Sequence, residues 1–176
     1  MLKVILASKS KVRKDILNNN NIQCSVEPAN IDEDSIKSSL TKEGAFPEII
    51  SKNLAELKAN KISQKKNEEI VIGADSVIDL NGEIISKPSS REEAMEILKK
   101  LNGKKHHLIS SVCISKNGSM IWNYTDKAEL TMKQMNDNEL KSYLSKIKDE
   151  DLYAYNVYQI EGIGKNLFSK INGDKN

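Results

Sequence analysis

The sequence predicts an α/β domain built on a mixed, twisted β-sheet flanked by helices. Three observations lead there. Short apolar runs of strand character alternate along the chain with segments whose apolar residues recur at helical spacing. The run Ile70-Val71-Ile72-Gly73-Ala74-Asp75-Ser76-Val77-Ile78 is too continuously apolar for a half-exposed strand and reads as one buried on both faces. Two Asn-Gly pairs, Asn81-Gly82 and Asn117-Gly118, stand between strand-like runs, so part of the sheet is antiparallel.

Taken in order, Val4-Ile5-Leu6-Ala7 is a short buried strand. Ser8 and Ser10 follow as helix-capping residues, and Val12, Ile16 and Leu17 lie at helical spacing. The asparagines from Asn18 to Asn21 stop that helix, because asparagine tolerates the left-handed conformation that helix ends need, and Ile22 to Val26 reads as a second strand. Polar residues from Glu27 to Gly44 predict a long surface loop. From Pro47 to about Lys65, the residues Ile50, Leu54, Leu57 and Ile62 describe an amphipathic helix with proline in its first turn. The buried strand Glu69 to Asp79 turns through Asn81-Gly82 into Glu83 to Ser86. Ser90-Arg91-Glu92-Glu93 is a capping box that opens a helix ending at Gly103. His107 to Ser115 and Met120 to Met132 are two long strands, the second alternating so that one face is buried and the other wet. Asn136 with Glu139 caps a helix through about Ser145, and a Gly-punctuated segment of short elements runs on to Asn176.

With 176 residues, 38% hydrophobic and 30% charged, one domain suffices to bury its own core. Basic and acidic residues number 27 and 25, a formal net charge of +2, which argues against a nucleic-acid backbone or an anionic membrane as the main partner. Any anion site is therefore local. Ser8 and Lys9 come too early for a signal peptide and no apolar run has membrane-spanning length, so the expected location is the cytoplasm. Cys24 and Cys113 sit in apolar, strand-like contexts without partner spacing and read as reduced packing residues.

Chemistry could sit at three places. The first helix carries Lys9, Lys11, Arg13 and Lys14 at its N-terminal end, where the macrodipole is already positive. Either this is a solvated basic face, or the free N–H groups near Ser10, the Ser8 hydroxyl and the cations form a phosphate cradle. Lys58 lies beside the apolar stripe of its helix. It either snorkels to water or reaches over the core edge to a phosphate or a carboxylate. Asp75, inside the buried strand, needs a cation. A buried pair with a lysine such as Lys87 would satisfy it. A divalent ion shared with Asp32, Glu33 or Asp34 would do so as well, with Gly73 on the same face leaving room for a ligand. His106 and His107 have no metal-ligand spacing and read as structural or surface residues.

These residues stand in the order of a known set of motifs. Leu6-Ala7-Ser8-Lys9-Ser10 with Arg13, Ile31-Asp32-Glu33, Leu54-Ala55-Glu56-Leu57-Lys58-Ala59, Ile72-Gly73-Ala74-Asp75-Ser76-Val77, Ser86-Lys87-Pro88, Leu101-Asn102-Gly103-Lys104-Lys105-His106, Tyr158-Gln159-Ile160-Glu161-Gly162 and Lys170-Ile171-Asn172-Gly173-Asp174 together resemble the Maf-like nucleotide pyrophosphatase family over nearly the whole chain. The resemblance implies one Maf-like domain over residues 1–176, of the Maf/inosine-triphosphatase type, with a long curved mixed sheet, two lobes around a cleft and often a homodimer. It further implies hydrolysis of nucleoside triphosphates to monophosphate and pyrophosphate with Mg²⁺ or Mn²⁺. In that picture Ser8 and Arg13 hold phosphates, Glu33 and Asp75 serve the metal and the attacking water, Lys58 and Lys87 stabilise the triphosphate, and Glu161 lines the pocket.

The chain departs from the family at three points. The usual Ser-x-Ser-Pro-Arg-Arg start is Ser8-Lys9-Ser10-Lys11-Val12-Arg13 here. Glu161 stands where the subgroup resembling dTTP/UTP pyrophosphatases carries Gln, and is more like the 7-methyl-GTP subgroup. The family's last strand and helix beyond Gly173-Asp174 are absent from the 176 residues. The first and third departures keep a second expectation in play, a nucleotide-binding regulator of cell division and septum formation with impaired catalysis.

Overall fold

The computed structural model describes residues 3–173, in which seven strands form one sheet with helices between them. In chain order these are β1 (Val4–Leu6), α1 (Lys11–Asn19), β2 (Ser25–Val26), α2 (Glu33–Lys42), α3 (Pro47–Ser63), β3 (Ile70–Leu80), β4 (Glu83–Ile85), α4 (Arg91–Leu101), β5 (Lys105–Lys116), β6 (Ser119–Met132), α5 (Asp137–Ser145), α6 (Asp149–Tyr155), a 3-10 helix (Ile163–Leu167) and β7 (Phe168–Asn172). The sheet order is β2-β1-β3-β5-β6-β7, with β4 paired to β3. Both parallel and antiparallel pairs occur, as the alternating elements and the Asn-Gly turns predict. Among the described residues no helix is long and apolar enough to cross a membrane. By contact the chain divides into two compact units, one taking the residues up to Val77 with Ile109–Asp126, the other taking Ile78–Leu108 and the chain from Lys127 on.

In the first unit, β1 pairs in parallel with β2 and with β3, and the intervening helices supply the crossovers that parallel strands need. Its core gathers Ile5, Ala7, Ala55, Ala59, Ile62, Val71 and Cys113. Helix α3 begins with Pro47 at its first turn and buries Ile50, Leu54, Ala55, Ala59 and Ile62 completely or nearly so. Gly73 allows this packing. A Cβ there would collide with the Ala55 carbonyl and come within 2.8 Å of the Ala59 nitrogen. The space the sequence reading reserved for a ligand at Gly73 is therefore filled by the backbone of α3.

Two further expectations are corrected here. The predicted loop from Glu27 to Gly44 contains α2, capped by Asp32, whose carboxylate accepts from Ser35 N at 3.1 Å. Glu33 and Asp34 in its first turn and Lys42 in its last complement the macrodipole. No residue of α2 is buried, so it has no apolar stripe for periodicity to detect. The second strand shrinks from Ile22–Val26 to Ser25–Val26, both exposed on the sheet's edge strand.

In the second unit, Asn81 and Gly82 take positive φ values of 52° and 90° and join β3 to β4, with Asp79 Oδ1 accepting from Gly82 N at 2.7 Å. The core includes Leu98, Leu101, Leu130, Met132, Leu140, Leu152 and Leu167. Asn136 and Glu139 form a full capping box on α5. At α4 only half of one forms. Ser90 accepts from Glu93 N, whereas the Glu93 carboxylate turns to the amide and hydroxyl of Ser89. Arg91 ties three segments together, donating to the carbonyls of Leu144 and Ile147 and pairing with Asp149 at 2.7 Å. The alternation predicted for β6 holds only in its second half, where Leu130 and Met132 are buried. Trp122 and Tyr124 stack on each other at 6.3 Å and stay exposed, and β7 pairs with β6 only over Glu129–Met132.

Candidate active site: a lysine between two carboxylates

Alternation along β3 puts Val71, Gly73 and Asp75 on one face, and close packing at Gly73 brings α3 down onto that face. Lys58, within one turn of Ala55 and next to Ala59, is thereby laid against the strand with only 6% of its surface exposed. Its Nζ lies 2.8 Å from Asp75 Oδ1, 3.0 Å from Glu33 Oε1 and 3.4 Å from the Ala74 carbonyl oxygen. Helix α2, missed in the sequence, supplies the second carboxylate. Of the acidic triplet, Asp32 is engaged in capping, its carboxyl held below the usual range by the Ser35 amide, and Asp34 is exposed. Glu33 alone reaches the lysine.

Asp75 is 3% exposed. Its Oδ1 receives the ammonium, while Oδ2 is buried without a hydrogen-bond partner among the described residues. An ionisable oxygen left so in a dry interior costs stability, and such exceptions mark a place where a ligand, ion or reacting group belongs. The lysine that satisfies Asp75 is Lys58, not Lys87 as one sequence reading allowed.

Arg13 approaches the same stretch of β3 from α1. Its Nη1 donates to the Ala74 carbonyl at 2.8 Å and to Ser8 Oγ at 3.2 Å, and Ser8 Oγ also accepts from Ser10 N at 3.2 Å. The chain leaving β1 is held beside β3 by Ala7 N donating to the Ile72 carbonyl at 2.8 Å. Two cations, Arg13 and Lys58, thus converge on one backbone carbonyl. Ser51, which the sequence does not single out, is buried on α3 and donates from Oγ to the Asp75 carbonyl at 3.1 Å. A polar residue on an apolar helix face was the only clue to it.

The first unit therefore assembles Ser8, Arg13, Glu33, Lys58 and Asp75. Lys87 and Glu161 belong to the second. Lys87 is exposed between β4 and α4, and Glu161 is exposed in the turn before the 3-10 helix. That turn is tight. Gly162 N donates to the Gln159 carbonyl at 3.2 Å, and a Cβ on Gly164 would press into the backbone of Gln159. His106 is structural, as expected. It is 1% exposed, its Nε2 is 2.9 Å from the Tyr158 hydroxyl, and burial lowers its pKa to about 4. Both cysteines are free thiols, and burial pushes that of Cys113 up to about 11.

No group of three His, Cys, Asp or Glu side chains among the described residues could hold a metal by itself. Mg²⁺ does not need one. It is commonly bound through one or two carboxylates, with waters and substrate phosphates completing the shell. The open Oδ2 of Asp75 and the nearby Glu33 fit that donor set.

A nucleoside triphosphate pyrophosphatase of Pelagibacter ubique is 74% identical over 172 residues, covering 98% of this chain and 88% of the relative. A 7-methyl-GTP pyrophosphatase of Brucella abortus is 38% identical over 173 residues, covering 98% and 87%. Among solved structures, a HAM1 protein from Coxiella burnetii superposes with a TM-score of 0.50 at 13% identity, over 77% of this chain and 75% of that one, a likeness of fold. The family model described as Maf-like protein matches residues 3–176, and the chain belongs to that family.

Proposed function

We propose that this protein hydrolyses nucleoside triphosphates between the α and β phosphates, giving nucleoside monophosphate and pyrophosphate. The observation that carries the reading is the buried Asp75, oriented by Lys58 through Oδ1 and left open at Oδ2. In this reading Oδ2 positions a water and takes up its proton as the water oxygen bonds to phosphorus, while the bridging P–O bond breaks and its electrons leave with the departing phosphate oxygen. Ser8, Arg13 and the N-terminal amides of α1 hold the polyphosphate, since a helix start with no acidic residue in its first turn favours an anion. Lys58 turns part of its charge to the same region, and Lys87 contributes a further ammonium for the phosphates. Glu33, with Asp75 beside it, would hold a Mg²⁺ or Mn²⁺ ion, which when bound would neutralise phosphate charge and acidify water. Glu161 accepts hydrogen bonds from a donor edge of the base, such as that of guanine or 7-methylguanine. Names of the relatives support the activity, and the 38% identical Brucella protein supports the methylated guanine nucleotide. The near-neutral net charge supports a protein with no nucleic-acid partner, and the family resemblance supports a cytoplasmic homodimer.

Purified protein is incubated with Mg²⁺ or Mn²⁺ and a panel of dTTP, UTP, GTP and 7-methyl-GTP, and the products are separated by ion-exchange chromatography. Monophosphate with pyrophosphate is expected, ceasing on chelation and returning with added metal. Diphosphate with orthophosphate, or no turnover of any nucleotide, refutes the reaction. Turnover that survives exhaustive chelation refutes the metal.

A further inference from the structure

The backbone of Asn156 adopts φ 76° and ψ −166°, a region that is essentially glycine's own and that costs a side-chain-bearing residue strain. Asparagine is at home in the left-handed helical region near ψ +47°, and this is not that region. The residue is 8% exposed, so solvent does not account for it. Its side chain is fully used. Oδ1 accepts from Val157 N at 2.8 Å, and Nδ2 donates to two successive carbonyls, Ile85 at 3.4 Å and Ser86 at 3.2 Å.

Those carbonyls end β4 and begin the segment Ser86-Lys87-Pro88, which has no strand or helix of its own to hold it. On its other side, Pro88 is buried and Ser89 is tied to the Glu93 carboxylate at the start of α4. Lys87 thus projects from a short span anchored at both ends, and Asn156 is the anchor on the β4 side. A glycine would satisfy the backbone of residue 156 better, so the cost of asparagine there is matched to what its carboxamide does.

We propose that Asn156 is a positioning residue for Lys87, holding the Ile85–Ser86 carbonyls so that the lysine is presented to the triphosphate in a fixed place. The inference rests on the reading of Lys87 as a phosphate-binding residue. Misplacement of a binding group by about 1 Å can lower turnover as much as a hundredfold, and loss of a charged hydrogen bond to phosphate weakens binding by about tenfold or more. Asn156→Gly removes the clamp and relieves the backbone at once. Asn156→Asp keeps the size and the acceptor to Val157 but turns an oxygen toward the two carbonyls.

Steady-state kinetics on the best nucleotide of the panel and thermal melts are run on Asn156→Gly, Asn156→Asp, Lys87→Ala and the double variant Asn156→Gly/Lys87→Ala. The expected result is that Asn156→Gly melts at or above the parent temperature yet raises KM by about fivefold or more, with a smaller change in kcat. Asn156→Asp should raise KM further and also melt lower. In the Lys87→Ala background, Asn156→Gly should have no further effect on KM. Lys87→Ala with parent kinetics overturns the reading of Lys87 itself. A Lys87→Ala defect together with unchanged KM in Asn156→Gly, or additive defects in the double variant, overturns the positioning role alone.

Discussion

Lys58→Met keeps the aliphatic stem and removes the ammonium, and the structure says which group then suffers. Asp75, at 3% exposure, loses the ammonium that binds its Oδ1, while Glu33 at the edge can turn to water. Removing one member of a buried ion pair costs about 3–5 kcal/mol, because a charge is left uncompensated in a poorly solvated place. Asp75→Asn is a different change. The amide oxygen still accepts from Lys58, and Lys58 keeps its 3.0 Å contact with Glu33, so the loss is about 1 kcal/mol. Thermal unfolding of the nucleotide-free protein at neutral pH, without divalent ions and followed by circular dichroism, measures both. At about 2–4 °C per kcal/mol for a chain of this size, Lys58→Met lowers the melting temperature by roughly 6–20 °C and Asp75→Asn by roughly 2–4 °C. The double variant Lys58→Met/Asp75→Asn removes the uncompensated carboxylate and should be more stable than Lys58→Met alone. Equal costs for the two single changes, or a double variant no better than Lys58→Met, would show that the carboxylate is not held in a dry site and would undo the argument built on it.

Three further outcomes are expected. Asp75→Asn should lower kcat by at least about a hundredfold, the usual worth of a general base, while calorimetry still detects nucleotide binding; retained turnover would remove Asp75 from the reaction. Gly73→Ala should cost about 1–3 kcal/mol or more, because the new methyl meets the backbone of α3 rather than a yielding side chain, and it should depress activity by lifting Lys58 off the strand. Parent-like urea midpoints and rates in that variant would contradict the packing. His106 accepts a proton at about 4 when folded, whereas the unfolded imidazole does so near pH 6.5. Between those values the unfolded chain binds the extra proton, so stability rises with pH across the window, by up to about 3 kcal/mol from this group. His106→Phe should flatten that part of the profile, and an unaltered slope between pH 4 and 6.5 would show that the buried imidazole is not its source.

The sheet and its order of elements were legible because they rest on local pattern. Continuous apolar residues from Ile70 to Ile78 required a strand covered on both faces, and the two Asn-Gly pairs required tight turns whatever surrounds them. Helix α2 was not legible. It buries nothing, and its stability comes from a cap, a favourable charge order and its position beside α3, none of which leaves an apolar period. The exposed half of β6 was misread for the opposite reason, since alternating apolar residues satisfy a pattern whether or not a second layer covers them.

By itself the sequence determined that a carboxylate would be carried into the interior at Asp75 and that it would need a cation, because desolvation is a property of the strand it sits in. Which cation, and which oxygen stays open, only the tertiary structure decided. Lys58, Lys87 and Arg13 were equally available along the chain, and the choice fell to Lys58 because Gly73 lets one helix approach one strand within backbone contact. Glu33 joined them from the first turn of α2, a helix without an apolar period. Pairing of charges depends on separations of a few ångströms between residues distant in sequence, and such separations exist only once the elements have packed.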